Sequence, residues 1–132
     1  MAWDWQRDHM LWQKRPHQGS ATCDYDPNTK RIATAGRDGL LLIHNAFHGT
    51  ELEKIDIGSS IQMISWSPDS RWLAIYAEDL LVMNVEAWEI QYRWCLNKPL
   101  VFLGFLKQPS MLAFGSPDGE ITLLHIEPAR HT

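Results

Sequence analysis

The chain has 132 residues, enough for one compact domain, and is 45% hydrophobic and 21% charged, ordinary proportions for a globular protein. A net charge of −4 excludes a surface built to hold nucleic-acid phosphates, which needs clustered Lys and Arg. No apolar run approaches the ~20 residues that cross a bilayer, and the N-terminus has no apolar signal-peptide core; we expect no nucleic-acid partner, no membrane insertion and a cytoplasmic (intracellular) setting.

Residues 1–20 read as a leader or an outer strand. His9 to Arg15 fit a strand, but Trp5, His9 and Trp12 could also form a helical stripe. Residues 21–58 form a first unit: an apolar run ending at Tyr25, a turn through Pro27, a strand around Ala33, the turn Asp38-Gly39, then Leu40 to His44 and Glu51 to Ile57. Residues 61–97 form a second: Ile61 to Trp66, the turn Ser67-Pro68-Asp69-Ser70, Arg71 to Ala77, Glu78-Asp79, Leu80 to Asn84 and Glu89 to Leu96. Residues 99–127 form a third, partial unit through Phe105, Pro109, Ala113, Asp118-Gly119 and Ile121 to Leu124. Cys23 and Cys95 lie inside apolar runs and show no metal or redox spacing.

The apolar pattern has period two, as strands require, and each turn has its own chemistry. Proline presets φ, while Asp and Ser cap the turn through local side-chain bonds. Asp-Gly supplies the positive φ of a tight hairpin. Glu78-Asp79 lacks the glycine, so that hairpin is expected to be one residue shorter. The third run of each unit is nearly continuous in apolar residues, which suits a strand covered on both faces. The fourth runs alternate more loosely, as outer strands do.

The alanines Ala33, Ala74 and Ala113 are 41 and 39 residues apart, and so are Asp38, Asp79 and Asp118. A period near forty with several short strands per unit is the signature of a β-propeller. The segment ISWSPDSRWLAIYAED resembles the strand–turn–strand stretch of the WD-repeat family, and SPDGEITLLHI resembles its aspartate-glycine turn and third strand. Trp3-Asp4 is the one literal Trp-Asp pair; His44-Asn45, Asn84-Val85 and Leu124-His125 stand where the family would place the others. The expected fold is all-β: a single domain of about three propeller-type blades of four antiparallel strands, in an incomplete ring. In the family the first strand completes the last blade, and Trp3-Asp4 followed by His9 to Arg15 sits where such an offset would place it.

Three blades leave two apolar flanks and unpaired strand edges, and such edges are templates for another chain. The expected function is a non-catalytic protein-protein interaction scaffold, an architectural subunit completed in trans by a partner supplying the remaining blades. The alternatives are a self-completing homodimer that recognises a peptide on its loop face and, remotely, a metal-dependent hydrolase. The edge and flank residues expected to bind are Trp3, Trp5, Met10, Trp12, Ile121 and Leu123. Trp66 and Trp72 are expected to pack between blades. Carried over by position from the family, the loop-face residues are His17, Arg37, Glu78 and Lys98. The six histidines show no ligand pairing, and neither a nucleophile elbow nor a phosphate loop occurs. No catalytic residue, metal ligand or cofactor is assigned.

Overall fold

A computed structural model of the chain describes residues 21–96, 98–106 and 111–126. These residues hold eleven strands in three antiparallel sheets. The first sheet is a meander of β1 (Ala21–Asp26), β2 (Arg31–Gly36), β3 (Leu40–Asn45) and β4 (Glu51–Asp56). The second repeats it with β5 (Met63–Trp66), β6 (Trp72–Tyr76), β7 (Leu80–Asn84) and β8 (Glu89–Trp94). The third has β9 (Phe102–Phe105), β10 (Met111–Gly115) and β11 (Ile121–His125). No helix occurs among the described residues. The first strands β1, β5 and β9 lie next to one another, and β4 and β8 are outermost.

Period-two alternation gives each strand two faces; the second sheet has both faces covered by its neighbours, and the first and third sheets each pack one face against it. The leading face of the first sheet carries Ala33, Ala35, Leu41 and Ile43; it meets Ile64, Trp66, Leu73, Ile75, Leu81 and Met83 on the trailing face of the second. The leading face of the second carries Trp72, Ala74, Tyr76, Leu80 and Val82; it meets Leu112 and Phe114 of the third, with Leu103, Phe105 and Leu124 beside them. Every residue of β6 is buried, because both of its faces are covered. Each fully buried Leu or Ile in these cores contributes about 1.5–3 kcal/mol. Ala33 and Ala74, in the middle of β2 and β6, are fully buried in the two inter-sheet cores.

The glycine-free hairpin differs from the sequence expectation. Ala33 opposes Ile43 and Ala113 opposes Leu123, ten residues apart in each case, whereas Ala74 opposes Val82, eight apart. The second hairpin is thus shorter by two residues rather than one. A change of one would have turned the apolar faces of β7 inside out, since side chains alternate with period two. In the longer hairpins Gly39 and Gly119 adopt φ of +77° and +90°. Their amides bond to the carbonyls of Gly36 and Ser116, and both distances are 3.1 Å.

Candidate interaction surface

The leading face of the third sheet repeats the pattern that the first two sheets bury. Ala113 and Leu123 stand where Ala33 and Ile43, and Ala74 and Val82, stand in the preceding sheets. Here, however, Ile121 is 67% exposed, Leu123 56% and Phe102 41%. Phe102 lays its ring over Gly115, where even a methyl group would collide with it. The sequence points to Ile121 and Leu123 at a flank but not to Phe102. It ends no apolar run, and only its pairing with Gly115 places it on this face.

The outer edge of β11 has no strand beside it among the described residues, whereas β3 and β7 pair there with β4 and β8. Below that edge lies a cleft of about 310 Å³ between the second and third sheets, lined by Leu96, Leu100, Phe114 and Thr122 with Lys98 and Glu120 at its rim. Lys98 pairs with Asp118 and lies 3.4 Å from Glu120. Its hydrogen bond to Asp118 raises the ammonium pKa and, with the Ser116 hydroxyl, holds the Asp118 carboxyl well below the usual carboxylate range.

Arg37 and Glu78 lie exposed on the β2–β3 and β6–β7 hairpins, and Lys98 in the β8–β9 connection. The connections reach the same end of the sheets as the hairpins, because Ile57 and Ile61 donate amides to the carbonyls of Gly39 and Gly36. The three residues share this end but no pocket. Arg37 lines a cleft of about 500 Å³ with Thr22, Ser60 and Gln62; Glu78 lines a separate small recess with Asp79 and Arg93. Trp3, Trp5, Met10, Trp12 and His17 lie outside the described residues, as does the expected strand from His9 to Arg15.

A polar seam joins the first two sheets. The Trp66 amide donates to Asp24 Oδ2 at 2.7 Å, and the Trp66 indole N–H donates to the Asp24 carbonyl at 3.0 Å. In the next sheet the equivalent residue, Ser65, accepts from the Phe105 amide at 3.4 Å. Burial pushes the half-buried Asp24 carboxyl up, against the lowering effect of its amide bonds, and nearby Asp26 pushes it further. Asp26 is fully buried and accepts from Ser70 Oγ at 2.7 Å across the seam and from the Thr29 hydroxyl within its own turn. The Arg31 guanidinium lies 5.1 Å from the Trp66 ring and 5.5 Å from that of Trp88. Trp66 and Trp72 are buried, one in each inter-sheet core.

Among the described residues no group of three His, Cys, Asp or Glu is placed to hold a metal ion. No helix among them is long and apolar enough to cross a membrane.

No family model matches the chain. Over 65 residues it is 31% identical to small ribosomal subunit protein RACK1y of Oryza sativa subsp. japonica, covering 49% of this chain and 18% of that protein. Among solved structures it superposes on U3-55K with a TM-score of 0.75 at 20% identity, over 85% of this chain and 38% of that one. The WD40 repeats of RRP9 give the same TM-score and identity, with 37% of that chain covered. The chain therefore spans well under half the length of each of these proteins. The sheet order, the sequential face-to-face packing and these superpositions agree: in fold, this chain is a WD-repeat-like partial β-propeller.

Proposed function

We propose that the chain is a non-catalytic protein–protein interaction scaffold, an architectural unit whose third blade is completed by another chain in an intracellular assembly. One observation carries this reading. The leading face of the third sheet has the apolar pattern that its two predecessors bury against a following sheet, yet Ile121 and Leu123 are more than half exposed. An apolar sheet face beside a strand edge that has no neighbour among the described residues is a surface for a further sheet or strand. The similarity to RACK1y is consistent with a protein partner, since that protein is a small ribosomal subunit protein.

Light-scattering mass after size exclusion tests the reading on the purified full chain. The expected result is self-association or aggregation of the wild type. Leu123→Asp, which places a charge on the exposed face without touching either core, should yield a monodisperse monomer near 15.3 kDa. A clean dimer near twice that mass would favour a self-completing ring with a ligand on its loop face. A monodisperse wild-type monomer that Leu123→Asp leaves unchanged would sink the scaffold reading.

A further inference from the structure

The two four-stranded sheets show what kind of strand pairs at the edge of β11, where no strand lies among the described residues. Ile43, Val82 and Leu123 are equivalent, since each opposes the alanine of its second strand. One residue earlier stand Leu42, Leu81 and Thr122. The fourth-strand residue opposite Leu42 is Lys54, and that opposite Leu81 is Arg93. The following residue is apolar both times: Ile55 opposite Leu41, and Trp94 opposite Leu80. Both fourth strands thus carry a basic residue followed by an apolar one at this register. The bulges of the two ladders lie beyond it, at Ile43/His44 and Val82/Met83.

Electrostatics explain the basic residue in the second sheet. Arg93 lies 3.6 Å from Asp79, in the turn just before β7. The recess between the first two sheets at this point holds only about 30 Å³. At the equivalent place in the third sheet the cleft is about 310 Å³. Two acids, Asp118 and Glu120, share Lys98 there, leaving one negative charge in excess.

We infer that β11 takes an antiparallel extended strand from another chain, with Lys or Arg opposite Thr122 and an apolar residue next, opposite Ile121. This inference rests on the scaffold reading and names the chemistry of its partner. The ladder hydrogen bonds supply affinity that any strand could have, and the side-chain positions supply selectivity. The basic residue meets the excess charge of Asp118 and Glu120, and the apolar one extends the Ile121–Leu123 face. The leader of a second copy fits poorly: Arg7, Lys14 and Arg15 are followed by Asp8, Arg15 and Pro16, so in residues 1–20 no Lys or Arg is followed by an aliphatic or aromatic residue.

The test uses a fluorescein-labelled peptide with the sequence of Glu89–Trp94, its Arg93→Glu variant, and a peptide of residues 7–16, titrated against the full chain by anisotropy. The arginine peptide should bind at least about fivefold more tightly than the glutamate variant, the scale of a favourable against an unfavourable cross-strand pair. In a Glu120→Lys chain, altered at an exposed residue, that order should reverse. Equal binding of the two peptides overturns the inference while leaving the scaffold reading intact. A preference unchanged by Glu120→Lys places the peptide on another edge and also overturns it. So does tighter binding of the 7–16 peptide, in favour of a second copy. Binding by none of them overturns it as well, and the scaffold reading is then decided separately by the Leu123→Asp mass measurement.

Discussion

Asp24 is the residue at which one perturbation separates charge from hydrogen bonding. Its carboxylate accepts the Trp66 amide across the seam between the first and second sheets. Asp24→Ala leaves that N–H without its acceptor at a half-buried junction, which costs about 2 kcal/mol. For a domain of this size that corresponds to a melting temperature lower by about 8 °C. Asp24→Asn keeps an oxygen to accept the bond and removes the charge that burial disfavours. Its stability at neutral pH should equal or exceed that of the wild type. The sign of the pH dependence follows from the raised carboxyl pKa. The fold binds this proton more tightly than the unfolded chain does. The stabilisation is therefore full below the unfolded pKa and is lost as pH rises through the folded one. Asp24→Asn should lack that decline. Thermal unfolding of the full chain and both variants, followed by circular dichroism at neutral pH and near pH 4, reads all three effects. An Asp24→Ala chain as stable as the wild type would refute the seam hydrogen bond. An Asp24→Asn chain as weak as Asp24→Ala would show that the charge itself stabilises the fold, against the reasoning from burial.

Three further outcomes are expected. Arg31→Met should lower stability by about 1–2 kcal/mol and shift tryptophan fluorescence, because the cation leaves the faces of Trp66 and Trp88 and the buried Asp26 loses its ion partner; Arg31→Lys should recover only part of this in the same melting experiment. Gly39→Ala should cost more than Gly119→Ala, about 2 against about 1 kcal/mol by denaturant midpoint, since both have positive φ but a Cβ at 39 would meet the Ser59 backbone at 3.2 Å while one at 119 meets open space. Lys98→Ala should return the Asp118 carboxyl pKa toward the normal range, as read by NMR titration, because the ammonium is the first cause of its depression.

Much of the fold is legible in the chain because its cues are local. The Asp-Gly pairs at 38–39 and 118–119 sit at hairpins with positive φ at both glycines, as the turn chemistry requires. The runs ending at Tyr25, Trp66 and Phe105 are inner strands, and the continuous runs from Leu40, Leu80 and Ile121 are third strands. The surface was less legible. Ile121 and Leu123 stand out as apolar residues near the end of a unit, but Phe102 and Glu120 do not, and Asp118 stands out only as a turn residue. Their roles depend on pairings across 13 residues or more, to Gly115 and to Lys98. The lengths of the hairpins were partly hidden too, because a missing glycine signals a shorter turn without saying by how much.

By itself, then, the sequence determined the repeat, the four-run unit and the all-β class, since alternation and turn residues act over a few neighbours. Only the tertiary structure decided which face of each strand meets the next sheet, which parity the second hairpin keeps, and which apolar face no other described sheet covers. Those outcomes come from packing whole sheets against one another, and a strand of period two gives no sign of which of its faces a distant neighbour will bury.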